Sequence, residues 1–161
     1  MNRIRVLFVC HGNICRSPMA EYILKDKVNK MGMSDSFIIA SAATSREEIW
    51  NGEGNPVHPM AKEQLKKHGI SCDEKRAIQL EKSDYDKYDY LIAMDSENVR
   101  NMLRLFSGDK ENKIHKLMEF AGKDNDVSDP WYTRNFKKAY EDIEYGVDAF
   151  LKKLEKCSFH P

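Results

Sequence analysis

The spacing of apolar positions along this chain changes several times, and each change marks an element. Residues 4–9 form a short, almost unbroken apolar run, which predicts a strand buried on both faces. From Ser17 the period becomes helical: Met19, Ala20, Ile23, Leu24 and Val28 recur as far as Met31, with Pro18 in the first turn and Gly32 as the stop. A second strand is expected at 37–40, running into the small residues Ser41-Ala42-Ala43-Thr44-Ser45. Residues 46–59 are rich in turn formers and are expected to be a loop. A helix is expected over 59–68, with Met60, Ala61 and Leu65 on one side and Gly69 ending it. Residues 76–80 predict a brief extended segment and 88–94 a buried strand. Asp95-Ser96 caps a helix over 97–106, and 113–117 is the final strand. Residues 134–156 place Phe136, Ala139, Tyr140, Ile143, Val147, Phe150, Leu151 and Leu154 on one face of a closing helix. Strands alternating with helices predict a single-domain α/β fold with a mainly parallel central sheet and helices on both faces. Its ligand site is expected at the carboxyl ends of the strands.

Composition narrows this picture. A chain of 161 residues can bury one proper core, so one domain over 1–161 is expected. Lys and Arg total 26, and Asp and Glu 26, so no global field points to nucleic acid or to a membrane surface. The apolar runs are far shorter than a membrane span and the N-terminus lacks a signal-peptide pattern, which together predict a cytoplasmic protein. The four cysteines, Cys10, Cys15, Cys72 and Cys157, are too few for a disulfide scaffold and lack zinc-site spacing, so no metal is expected. Cys72 and Cys157 are expected to be packed or surface thiols.

The chemistry is concentrated in Val9-Cys10-His11-Gly12-Asn13-Ile14-Cys15-Arg16-Ser17-Pro18. Here a strand ends in a cysteine, and a tight loop leads into a helix start. Such a loop turns backbone N–H groups inward at a helix N-terminus, where the dipole adds positive charge, so the loop from His11 to Ser17 is expected to bind a phosphoryl dianion through its amides. Arg16 adds a bidentate fork that a lysine could not supply. The same field favours a nucleophilic thiolate at Cys10, and the Ser17 hydroxyl is placed to donate to it. Gly12 and Asn13 are the residues most tolerant of positive φ where the loop must turn.

This stretch closely resembles the signature of the low-molecular-weight protein-tyrosine phosphatases: Cys, five residues, then Arg and Ser, at the very N-terminus. The resemblance implies the α/β fold with an N-terminal phosphate-binding loop between the first strand and the first helix. It also implies a reaction through a phosphocysteine, without cofactor or metal. In that family a serine after the second strand ties down the loop asparagine, which points to Ser41 and Asn13. A histidine before Gly-Ile joins the network under the loop, which points to His68. The family's general acid is an aspartate in Asp-Pro followed by aromatics, matched by Asp129-Pro130-Trp131-Tyr132. That role has its own physical sense, because an expelled alkoxide or phenoxide needs a proton and Pro130 restricts the backbone that carries Asp129.

Trp131, Tyr132 and Ile14 are expected to wall a pocket deep enough for a planar ring, which favours a tyrosine-phosphorylated protein or peptide as substrate. Trp50 is either a further wall or a cover over the core edge. Some bacterial relatives of the family act on phosphoarginine, and that substrate stays open. Arsenate reductases of similar fold need shuttle cysteines about seventy to eighty residues beyond the first, and residues 81–89 contain none. Cys15, close to Cys10 in one loop, is expected to trap an oxidised Cys10 as a reversible disulfide, as the family pairing also implies. A monomer is expected.

Overall fold

The computed structural model describes residues 3–158, with side chains to Lys156. The side chain of Cys157 therefore lies outside the described residues. Strand β1 (Ile4–Cys10) is the centre of a four-stranded sheet, flanked by β2 (Phe37–Ala43) and β5 (Tyr90–Ala93), with β6 (Ile114–Lys116) beyond. All three pairings are parallel, running from Ile4 opposite Phe37 to Cys10 opposite Ala43, and from Val6 opposite Tyr90 to Val9 opposite Ala93. A parallel strand covered on both faces has no solvent side, which is why residues 6–10 are all buried.

Alternation along β1 divides the core. Val6, Phe8 and Cys10 face α1 (Arg16–Lys30), α2 (Pro59–Lys67) and α6 (Phe136–Ser158). Leu7 and Val9 face the opposite layer, where Met102 of α4 (Ser96–Phe106) packs with Leu80, Leu91 and Ala93. The strand order β2-β1-β5-β6 turns outward on either side of β1, so the crevice that open α/β sheets use for ligands falls at Cys10.

Several expected boundaries shift for identifiable reasons. Residues 46–59 are not all loop: Ile49–Trp50 (β3) and Glu53–Gly54 (β4) pair as an antiparallel hairpin around Asn51 (φ 52°) and Gly52 (φ 78°). Asn-Gly with both residues at positive φ is the turn that suits the twist of a hairpin. The segment 76–80 forms no run of strand. It adds one parallel bridge, Gln79 to Ala43, with Leu80 N donating to the Ala43 carbonyl at 2.8 Å. The closing helix starts at Phe136, its first apolar position, and not at the expected Arg134. A short helix α5 (Pro130–Thr133) comes first, Arg134 breaks it at φ 63°, and Asn135 then caps α6 by accepting from Lys138 N at 3.0 Å. Earlier in the chain, α3 (Asp84–Lys87) precedes β5, and Ser34–Ser36 and Leu117–Ala121 are short stretches of 3-10 helix.

Candidate active site

The loop after β1 folds around the sulfur of Cys10. Asn13 takes φ 59°, the left-handed conformation that asparagine tolerates, and this aims its backbone N–H at Cys10 Sγ, 3.3 Å away. Gly12 is not at positive φ, contrary to the sequence expectation. A Cβ there would stand 3.2 Å from Glu48 Cγ, a tight contact that the glutamate side chain would have to yield slightly to admit. Helix α1 begins at Arg16 with no side chain capping its N-terminus, so its first amides are left for a ligand.

Beneath the loop lies a hydrogen-bond chain whose direction can be read. Ile78 N donates to Asn13 Oδ1 at 3.0 Å, which fixes the amide so that Nδ2 faces Ser17 Oγ at 2.7 Å and Ser41 Oγ at 2.9 Å. Ser17 thus accepts from Asn13, and its own proton is free for Cys10 Sγ at 2.9 Å. Ser41 in turn donates to Glu21 Oε1. All of these side chains are buried.

Arg16 is 2% exposed, and one edge of its guanidinium is anchored: Nη1 donates to Asp95 Oδ2 at 2.8 Å and to the Val127 carbonyl at 2.9 Å. Nη2 stands 3.5 Å from Asp129 Oδ2. Burial opposes the Arg16 charge, but Cys10, Asp95 and Asp129 outweigh it and hold the group above its usual value. Asp95 divides its oxygens, because Oδ1 caps α4 through Asn98 N at 2.8 Å. Asp129 is the N-cap of α5: its Oδ1 accepts from Trp131 N at 3.0 Å, and Oδ2 faces Arg16. Burial first, then the charges of Cys10 and Asp129, push the Cys15 thiol well above its usual range.

Cys10, Arg16, Asp129 and the loop residues His11 to Cys15 line one cavity of about 290 Å³, together with Trp131, Tyr132, Glu47 and Glu48. Ser17 and Ser41 sit below it through the bonds just described. Two expected residues do not join it. Trp50 is 78% exposed on the hairpin and absent from the cavity lining, and the turn at Asn51-Gly52 holds it outward. The His68 ring stacks on Tyr140 at 4.3 Å and its Nδ1 meets the Gln64 carbonyl, so it packs at the end of α2 and is not part of the loop network.

Other residues of the site carried no sequence signal. Glu21 and Lys75 lie under the loop. His58 stacks on Phe136, meets Trp131 edge-on at 5.9 Å and donates its backbone N–H to the Ile14 carbonyl. Glu47 reaches His11 Nε2 at 2.6 Å. Only Asp95 had a readable signal, as a helix cap. Among the described residues no three of His, Cys, Asp and Glu gather as a metal would require.

The fold and this site define an α/β protein with a tight loop at the sheet's switch point, an uncapped helix N-terminus behind it and a cysteine sulfur on its floor. Residues 5–158 match the family model described as low molecular weight phosphotyrosine protein phosphatase. The low molecular weight protein-tyrosine-phosphatase YfkJ of Bacillus subtilis is 38% identical over 155 residues, spanning 95% of this chain and 97% of its own. The YfkJ crystal structure superposes with a TM-score of 0.91 at 37% identity, covering 98% of each chain. That of SP-PTP, a low molecular weight protein tyrosine phosphatase from Streptococcus pyogenes, gives 0.83 at 38% identity, covering 97% of this chain and 96% of its own. The chain belongs to the low molecular weight phosphotyrosine protein phosphatase family.

Proposed function

We propose that this protein hydrolyses phosphotyrosine in proteins and peptides, with Cys10 as nucleophile and Asp129 as general acid and then base. The observation that carries this reading is the convergence on one sulfur of the Asn13 N–H and the Ser17 hydroxyl, in a cavity that Arg16 and Asp129 also line. In the first displacement the Cys10 thiolate forms a bond to phosphorus while the bond to the tyrosyl oxygen breaks. Asp129 gives its proton to that oxygen. Loop amides and Arg16 Nη2 stabilise the charge on the three equatorial oxygens. In the second, water attacks the phosphocysteine, Asp129 takes its proton, and the thiolate departs with Ser17 donating to it. Free phosphate leaves, and no redox change occurs.

Ile14, Trp131 and Tyr132 supply apolar walls for an aryl ring. Glu47 and Glu48 at the same cavity give a guanidinium a place to pair, which keeps phosphoarginine as a second reading. The test is turnover of a phosphotyrosine peptide, a phosphoarginine peptide and para-nitrophenyl phosphate by reduced protein in EDTA. The phosphotyrosine peptide is expected to be the best peptide substrate, with Cys10→Ser inactive and Asp129→Ala slowed roughly 10²–10⁴-fold. Preference for the phosphoarginine peptide would move the assignment to the second reading, and no turnover of any of the three would overturn both.

The site is also proposed to be redox-protected. Peroxide converts Cys10 to a sulfenic acid, and the Cys15 thiol displaces water from it to close a disulfide that dithiothreitol reopens. Peroxide inactivation is expected to be reversible in wild type, whereas in Cys15→Ala a second equivalent of peroxide oxidises the untrapped sulfenic acid to sulfinic acid and dithiothreitol no longer restores activity.

A further inference from the structure

Lys75 is a buried cation that the proposed mechanism does not use. It is 6% exposed, and its Nζ donates to the Ser41 carbonyl at 3.0 Å and stands 3.6 Å from Glu21 Oε1. Glu21 is 4% exposed, and its other oxygen takes Lys25 Nζ at 2.6 Å. Burying two opposite charges is costly, and neutral groups could tie the same strands together. The location of the pair gives it a role. Glu21 lies one helical turn beyond Ser17, Ser41 is near the carboxyl end of β2, and Lys75 begins the segment whose Ile78 N–H fixes the Asn13 amide.

The polarity of the chain below Cys10 depends on this pair. A charged carboxylate can only accept, so Ser41 must donate to Glu21 and present its lone pairs to Asn13. Asn13 then donates to both serines, and the one proton of Ser17 goes to the sulfur. We propose that Lys75 is a positioning residue for Cys10: its ammonium pairs with the Glu21 carboxylate beside Lys25 and pins the 75–78 segment to Ser41, so that the chain Glu21–Ser41–Asn13–Ser17 ends in a donor on the sulfur. The proposal rests on Cys10 being the nucleophile.

The electrostatics agree. Burial lowers Lys75 from its ordinary value, while Glu21 and the sulfur of Cys10 oppose that fall. The other groups facing Glu21 do not compete near neutral pH. Burial, with Glu21's own charge, holds the Tyr22, Cys72 and Tyr88 protons on above their usual range, and Lys25 is a cation. Around Cys10, burial pushes up the Cys15 thiol, and Arg16 stays charged.

The test is the rate of Cys10 alkylation by iodoacetamide as a function of pH, read by mass spectrometry of the Cys10 peptide in intact folded protein. Lys75→Met is expected to react about tenfold more slowly than wild type near pH 6 and to match it in alkaline solution, where the thiolate needs no help. If Lys75→Met does not fold, Glu21→Gln/Lys75→Met, which leaves no lone buried charge, is expected to show the same contrast. Wild-type rates across the whole range, or an equal slowing at every pH, would overturn the proposal. Alkylation needs no phosphatase substrate, so an inactive wild type that still shows the contrast would refute the phosphotyrosine reading and leave Lys75's role standing.

Discussion

Ser17 has one hydroxyl proton, and its neighbours decide where that proton goes. Because Asn13 Nδ2 occupies a lone pair of Ser17 Oγ, the proton is directed to Cys10 Sγ. Ser17→Ala is therefore expected to slow breakdown of the phosphoenzyme, where the thiolate leaves, more than its formation, a difference that single-turnover kinetics separates. Arg16 is similarly committed, with Nη1 anchored by Asp95 and Val127 and Nη2 turned to the cavity side. Arg16→Lys keeps the charge and loses the fork, so kcat/KM is expected to fall by about 10²-fold or more despite the conservative chemistry. Cys15, held as a thiol by burial, is expected to resist alkylation at neutral pH, where Cys10 reacts.

At the scale of elements, the site is held by segments that meet end to end. The β3–β4 hairpin crosses the 76–79 segment so closely that a Cβ on Gly54 would lie 1.9 Å from the Ala77 carbonyl oxygen. Gly54→Ala must push the two apart and is expected to cost roughly 1–3 kcal/mol in urea denaturation, with the loss felt at Asn13 through Ile78. Asp95→Asn separates two roles of one side chain: asparagine still caps α4, but the buried guanidinium loses the nearer of its two carboxylate partners, a loss of about 3 kcal/mol. These meetings explain what could be read from the sequence alone. Strand β1, helix α1 and the Cys10-to-Ser17 loop were legible because each is written in contiguous residues with a period or a spacing. Lys75 to Ser41, Glu21 to Ser41 and His58 to Ile14 were not, because the partners are far apart in the chain and have no shared pattern. His68 before Gly-Ile matched the family's local pattern, yet the buried cation under the loop is Lys75. A one-sequence reading sees the neighbours of a residue in the chain, and burial of a lysine is set by packing.

For the whole molecule, acid is the sensitive direction. Burial alone would raise the carboxyls of Asp89, Asp109 and Asp126. Arg5 outweighs it at Asp89, the Tyr85 hydroxyl with the N–H groups of Lys113 and Ile114 at Asp109, and Lys116 with Ser96 at Asp126, so all three are held below the usual carboxylate range. The unfolded chain binds these protons more readily than the folded one. Their stabilisation is therefore complete above the ordinary carboxylate range near about pH 4 and is lost as pH falls through the lower folded values. Asp109→Asn is expected to lower stability at neutral pH and to flatten the acid limb of a stability–pH profile measured by urea melts. No helix among the described residues is long and apolar enough to cross a membrane. The fold brings Cys10 from its central strand and Asp129 from the start of α5 to one cavity, and the reaction proposed for them there is covalent. Rapid quenching of Asp129→Ala with para-nitrophenyl phosphate, whose leaving group departs without a proton so that loss of the base in the second step lets the intermediate build up, followed by mapping of the phosphorylated residue, tests that most directly. Phosphate on the sulfur of Cys10, formed faster than steady-state turnover, is the predicted result; product released without any phosphoenzyme, or phosphate carried elsewhere, would contradict it.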